Sequence, residues 1–301
     1  MRAAIRYDRL PTEQRHPRSR TLDRLPARHL LRLMSHEDAR VVQAVERQHS
    51  QIARAIRLIA TMLRRGGRLF FVGAGTSGRL GVIEAAECPP TFHTAPSMVQ
   101  AIIAGGRRAV FRSQEDAEDH RGRARAAVHR RVRRGDVVVG ITASGVTPFV
   151  TEALQTAARL GASTVRITCH PRAASTADVH IALSIGPELL SGSTRLKAGT
   201  ATKLVLNMLT LGAMVQLGKT YGNLMVDVRP TSRKLRARAI AIIRSVTHGS
   251  ERAAARALRA ARGNVKLAIL MARRNLTYDA ARRRLAQVDG SLRRALQLSG
   301  R

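Results

Sequence analysis

The chain of 301 residues contains no tryptophan, and its aromatic content is only 3%. Because 44% of its residues are hydrophobic, a core can still be buried, but it must be aliphatic. Cysteine is confined to Cys88 and Cys169, too few for a disulfide framework and in keeping with a reducing cytoplasm. No apolar stretch reaches the roughly 18–20 residues that cross a bilayer. The N-terminal MRAAIRYDRLPTEQRHPRSR carries charge without an apolar segment. Neither a membrane association nor a signal peptide is therefore expected. No GxxxxGK[ST] loop is present, which disfavours nucleotide hydrolysis. Internal repeats are missing, as is a helix-turn-helix module ahead of the strands, which counts against a transcription regulator.

Arginine is what the chain has in excess. Lysine occurs only at 197, 203, 219, 234 and 266, so 48 of the 53 basic residues are arginine, and the formal net charge is +33. A nucleic-acid binder would use such charge through counterion release. These arginines, however, are spread along the chain without a recognition motif, as on solvated faces. No nucleic-acid partner is expected, although the field would steer small anions inward.

Residues 1–34 read as an irregular arm rich in Arg and Pro, after which Ser35 and Asp38 suggest a helix start. Val41, Val42, Val45, Ile52, Ile56, Ile59 and Leu63 recur at helical spacing up to Gly66-Gly67. Apolar strands are expected over 68–72, 99–105, 136–142, 164–168 and 179–185, with a helix through Glu118, a helix over 149–159 and an apolar helix over 196–217. Near-continuous apolar strands alternating with helices imply an α/β fold with a doubly wound, mainly parallel sheet. Beyond about residue 230 only helical periodicity remains, broken near Gly249, Gly263, Thr277 and Gly290. The organisation expected is an N-terminal arm and helix over 1–60, a sheet domain over 61–224 and a helical C-terminal domain over 225–301.

Residues 73–78 read GAGTSG, a match to the GxGxxG fingerprint of dinucleotide sites. That fingerprint also needs a long helix and an acid about 20 residues on. Here Pro89-Pro90 are expected to stop the helix after about ten residues, and the region of the acid reads FHTAPSM. Thr76 and Ser77 put hydroxyls in the loop, which suits a single phosphate or a sugar. A second loop, TASGVTP (142–148), repeats the strand-to-helix logic with Ser144 and Thr147; a third, SGSTRLK (191–197), adds Ser193, Arg195 and Lys197. Free amides and the helix dipole would favour an anion at each. One Ser/Thr loop is commonly just a cap, whereas three on one sheet point to an anion or sugar-phosphate site.

With only 20 carboxylates in the chain, Glu84, Glu87 and the run EDAED (115–119) are conspicuous. Glu87, expected at a helix end just before the prolines, would have a raised pKa suited to a general acid, or else be an exposed helix-end residue. An acidic run is commonly a solvated face. His93, His120 and His170 lack metal-ligand spacing, and Cys88 reads as packing, so neither metal nor cofactor is expected.

The stretches GAGTSGRLGVIEAAECPPTF, AIIAGG, EDAED, VVVGITASGVTP and SGSTRLKAGTATKLVLNMLTLGAMVQLGKTYGNLMVDVRPTS closely resemble the N-acetylmuramic acid 6-phosphate etherases, part of the sugar-isomerase (SIS) phosphosugar-binding family. The resemblance covers most of the chain. It includes a tail like the family's ubiquitin-associated-like segment. It implies cleavage of the D-lactyl ether of a phosphorylated amino sugar by elimination and water addition, in cell-wall sugar recycling. Glu87 would be the acid and Glu118 the base, and Thr76, Ser77, Ser144, Thr147, Ser193 and Lys197 would hold the sugar phosphate. A cytoplasmic homodimer is implied, with a phosphosugar sensor or isomerase of the same fold as the alternatives. His93, where the family often has Gly, and His120 depart from the family pattern.

Overall fold

The computed structural model describes residues 6–298; residues 1–5 of the expected arm and 299–301 of the tail lie outside them. By internal contacts the chain divides into two units, Met1–Ala86 with Ser97–Thr210, and Glu87–Pro96 with Leu211–Arg301.

The first unit is built on β1 (Leu69–Gly73), β2 (Val99–Ile103), β3 (Val137–Thr142), β4 (Ser163–Thr168) and β5 (Val179–Ala182). They form one parallel sheet in the order β2-β1-β3-β4-β5. Both faces are covered, which is why the strands are apolar throughout. On one face Phe70, Val72 and Val138 pack with Ala124 and Val128 of α5 (Arg121–Arg131) and with Phe149, Val150 and Leu154 of α6 (Pro148–Arg159). On the other, Gly81 of α3 (Gly75–Phe92) lies so close to Phe71 that an added Cβ would stand 2.8 Å from the Phe71 Cβ. The doubly wound parallel α/β sheet expected from the sequence is thus present.

Four local expectations need correction. The arm forms three short 3-10 turns, at Tyr7–Arg9, Pro17–Ser19 and Leu22–Arg24, and α1 (Ala27–Glu46) then begins well before Ser35. Its buried seam runs Leu33, Glu37, Val41, Val45, and the charge on Glu37 hides that seam in the sequence. The helix also stops at Glu46, and α2 (His49–Arg64) starts anew after a turn. Secondly, α3 continues through Pro89 and Pro90 to Phe92. The prolines fall within its last turn, so the two missing amide donors and the crowding of their rings against the carbonyls four residues earlier disturb only the end of the helix. Thirdly, only α4 (Arg108–Phe111) follows β2; Glu118 sits in the 3-10 turn Ala117–Asp119. Finally, α7 (Lys197–Gln216) is long and apolar enough to cross a membrane by length and composition, although more than half of it is buried within the protein.

The second unit contains α8 (Arg233–Thr247), α9 (Glu251–Ala260), α10 (Val265–Arg274), α11 (Tyr278–Ala286) and α12 (Leu292–Gln297). Ser232, Ser250, Asn264, Thr277 and Ser291 each cap one of them by accepting a hydrogen bond from the third helical amide. Val226, Ile243, Leu258, Leu267, Leu270 and Leu292 form their common core. Lys266 is buried there, and its ammonium reaches Asp227 Oδ2 at 2.7 Å.

Candidate active site

In the strand order β2-β1-β3 the direction of progression reverses between β1 and β3. A parallel sheet opens a crevice at the carboxyl ends of such a strand pair. The loops into α3 and α6 leave from those two ends.

In the first loop the glycine spacing serves packing. A Cβ on Gly73 would lie 2.7 Å from the Gly78 amide, and one on Gly78 would lie 2.6 Å from Ile103 Cγ1. Gly75 opens α3 at a φ of +51°, a left-handed conformation that glycine adopts freely. The fingerprint is therefore the steric condition for a helix to start this close to its strand, and it does not choose a ligand. Thr76 and Ser77 do more to choose one. Both are half-buried in the first helical turn, whose amides have no partner within the helix. Neither hydroxyl has a partner among the described residues, and the dipole favours an anion there. Thr76 also borders α7: its methyl lies 3.7 Å from the Cβ position of Gly199.

The second loop is tied up before any ligand arrives. Thr142 Oγ1 pairs with Thr147 Oγ1 at 2.8 Å and accepts from the Gly145 amide at 3.2 Å, while Ser144 Oγ accepts from the Val146 amide at 3.3 Å. His170 Nδ1 lies 3.2 Å from the Ser144 carbonyl, and Arg166 donates to the Gly145 carbonyl. Gly145 itself has a φ of +79°. Ser144 and Thr147 are half-buried and keep further hydrogen-bonding capacity.

The third loop differs from its expectation. Glu188 is buried and caps α7 itself, accepting from the Lys197 amide at 3.1 Å and the Ala198 amide at 2.9 Å. Burial pushes its pKa up, against those two bonds. The positive end of α7 is thus occupied by the chain's own carboxylate. The Lys197 ammonium is also engaged, bonded to Glu37 Oε2 at 2.7 Å and to the Ile185 carbonyl at 3.1 Å. His16 Nε2 lies 3.2 Å from the same Glu37 oxygen. Burial alone would raise the Glu37 pKa, but Lys197, His16 and Arg40 together lower it to about 2. This network borders a cavity of about 340 Å³ beside Ser184 and Gly186, after β5. Ser193 is half-buried and Arg195 is exposed. Sequence reasoning missed Glu188, Glu37 and His16; the only signal was that buried acids and a lysine in a chain poor in both need one another.

Glu118 belongs to the first unit. Ala117 is buried with Phe70 and Ile102 and anchors the turn, and Asp116 enters it at a φ of +57°. Glu118 is exposed over the side chain as a whole, yet surrounding protein raises its carboxyl's pKa by desolvation, and the charges of Asp119 and Glu115 add to this. A carboxylate made more basic in this way suits proton abstraction. Glu84 is bonded to Thr210. Glu87 belongs to the second unit and is exposed within α3, five residues short of its end. The helix-end argument for its acidity therefore lapses. In that unit His93 has a φ of +53°, a left-handed conformation that glycine adopts without strain. Burial lowers its pKa, with Arg229, Lys219 and Lys266 adding to the effect and Asp227 opposing it. Cys88 is buried, as packing requires, and so is Cys169, whose thiol is pushed up to about 12 by burial and by Glu188.

The family profile of the glucokinase regulatory protein N-terminal SIS domain matches residues 51–158. Among solved structures, a phosphoheptose isomerase from Francisella tularensis superposes with a TM-score of 0.50 at 16% identity, over 64% of this chain and 100% of that one. This likeness speaks to the fold alone. N-acetylmuramic acid 6-phosphate etherases are much closer in sequence. That of Nostoc sp. is 52% identical over 290 residues, 95% of this chain and 94% of the relative. That of Symbiobacterium thermophilum is 52% identical over 268 residues, 88% and 89% of the two chains. That of Geobacillus thermodenitrificans is 47% identical over 293 residues, 96% and 99%. At about half identity over nearly its whole length, the chain belongs to the N-acetylmuramic acid 6-phosphate etherase family.

Proposed function

We propose that the chain is a carbon–oxygen lyase that cleaves the D-lactyl ether of N-acetylmuramic acid 6-phosphate, giving N-acetylglucosamine 6-phosphate and D-lactate in amino-sugar recycling. The observation that carries this is the 47–52% identity to etherases over nearly the full length of both partners. That identity lies with etherases rather than with sensors or isomerases of the same fold.

The sugar phosphate is placed at the β1/β3 crevice. Thr76 and Ser77, with the first-turn amides of α3, take the phosphate, and Ser144 and Thr147 line the other wall. Ser193 borders the same substrate, and Lys197 contributes by holding Glu37, and with it α1, against α7. In the open-chain aldehyde the carbonyl acidifies the C2 proton, and Glu118 removes it. Glu87 protonates the ether oxygen as the C3–O bond breaks, so lactate leaves with that oxygen. Water then adds at C3 of the unsaturated aldehyde and C2 regains a proton. One carboxyl must be ionised and the other protonated at the same pH, so their environments must differ. The raised pKa of Glu118 strengthens it as a base.

The working protein is a cytoplasmic homodimer in this proposal, with 1–60 as arm, 61–224 as the phosphosugar-binding part and 225–301 as a helical appendage. Two buried cysteines that form no disulfide suit a reducing compartment. Leu211 and Val215, one turn apart on α7 and each about half exposed, suit a partner surface. Enzymatic detection of D-lactate from N-acetylmuramic acid 6-phosphate tests the reading. Activity should fall at least about a hundredfold in both Glu87→Gln and Glu118→Gln. Full activity in either variant removes that residue from the mechanism.

A further inference from the structure

Strands β4 and β5 are joined by residues 169–178 without a helix, close to the shortest crossover that can link parallel strands. Their face beside α6 is therefore only partly covered, and a cavity of about 270 Å³ lies there. Arg166 lines it. In the sheet register this residue lies between Gly140 and His180, on the α6 side. It is only 8% exposed. Its Nη1 donates to the Ala174 carbonyl at 2.6 Å and its Nη2 to the Gly145 carbonyl, whereas its buried Nε has no partner.

A guanidinium remains charged when buried, and carbonyl dipoles do not supply its missing counter-charge. Among the described residues no carboxylate pairs with Arg166. Asp178, next to the cavity's Thr164, is instead held by that residue's amide at 2.7 Å and its hydroxyl at 3.0 Å. The uncompensated charge is felt locally, because burial and Arg166 together lower the pKa of His180. The rest of the lining is mixed. Gln155, Thr164, Ser175 and Thr176 offer polar atoms, whereas Leu154 and Ala158 make an apolar wall.

We propose that this cavity is a second ligand site, separate from the β1/β3 crevice, that takes a short-chain carboxylate as the counter-ion of Arg166. One cation matches one negative charge, so a monocarboxylate suits it better than doubly charged phosphate, and the apolar wall accepts a short carbon tail. The etherase reaction yields a molecule of this class, D-lactate; that link rests on the proposed function, whereas binding at the site does not. Because Arg166 also holds the Gly145 carbonyl, an occupied cavity bears on the 142–148 loop.

The test is thermal denaturation of the full chain, without substrate, in increasing propionate, D-lactate or inorganic phosphate at constant ionic strength. The expected result is a saturable rise in Tm with either carboxylate, at lower concentration than any phosphate-dependent rise that Gln155→Glu weakens; a phosphate-dependent rise indifferent to Gln155→Glu belongs to the β1/β3 crevice. Its midpoint should rise about tenfold or more in Gln155→Glu, which sets a like charge at the cavity. The rise should vanish in Arg166→Leu and be unchanged in Ser77→Ala. If Arg166→Leu does not fold, Gln155→Glu decides alone. No saturable rise with the carboxylates, indifference of that rise to Gln155→Glu, its loss in Ser77→Ala, or a Gln155→Glu-sensitive rise with phosphate at lower concentration than with the carboxylates would overturn the proposal. None of these readings depends on turnover, so a failure of lactate release leaves the site standing.

Discussion

Replacing Glu37 by Gln would remove the carboxylate shared by the buried Lys197 ammonium, the buried His16 imidazole and the exposed Arg40 guanidinium. Glu37 is 1% exposed and Lys197 3% exposed, with 2.7 Å between the ammonium and Oε2. A carboxyl held at about 2 instead of the ordinary 4.5 contributes roughly 3 kcal/mol of stability at neutral pH. The pKa is depressed on folding, so the contribution is complete above about pH 4.5 and fades as the pH falls towards 2. Glu37→Gln also leaves the Lys197 ammonium buried without its partner, so the loss at pH 7 should be about 3–5 kcal/mol. Urea unfolding of the full chain at pH 7 and at pH 3 measures both effects. The gap between wild type and variant should narrow clearly at pH 3. In Glu37→Leu/Lys197→Met, which removes both charges, most of the stability should return. A pH-independent gap, or a variant within about 0.5 kcal/mol of wild type at pH 7, would refute the reasoning.

Gly78→Ala should destabilise the fold by about 1–3 kcal/mol, because its Cβ meets Ile103 Cγ1 at 2.6 Å and the Gly73 carbonyl oxygen at 2.7 Å; a neutral denaturant midpoint would show that α3 can shift. His93→Gly should stabilise the protein by about 1 kcal/mol, since it relieves a φ of +53°; calorimetry checks this, and destabilisation would mean that the imidazole makes a compensating contact. Glu118 must be ionised to accept a proton, and its pKa is raised, so lactate release should fail on acidification at a pH above that of an ordinary glutamate. Asp119→Asn removes one of the charges that raise it and should move this acidic limb to lower pH; an unmoved limb would assign the titration to another group.

The sheet and the capped tail were legible in the sequence because local chemistry decides them. Runs such as VVVGIT can form a strand covered on both faces, and Ser250 or Thr277 mark a helix start by what their hydroxyls accept. The two crevice loops were legible for the same reason. Partners distant in sequence made the rest illegible. Glu37 lies on the buried face of α1 only because Lys197, 160 residues on, neutralises it, so in the sequence alone the seam reads as broken and the helix start falls at Ser35. The cap of α7 comes from Glu188, which no local capping pattern announces. In α5 arginines outnumber the apolar residues, and Ala124 and Val128 are all that it buries. The Pro89-Pro90 pair reads as a stop in the sequence, whereas prolines this close to the helix end disturb only its last turns.

The central claim is that this chain breaks the C3–O bond of N-acetylmuramic acid 6-phosphate by elimination and then adds water. Turnover in isotopically labelled water tests it most directly, with mass spectrometry of both products. The account predicts solvent oxygen in N-acetylglucosamine 6-phosphate and none in the D-lactate, together with solvent hydrogen at C2. Solvent oxygen in the lactate, or release of lactate with C2 unexchanged, would contradict it.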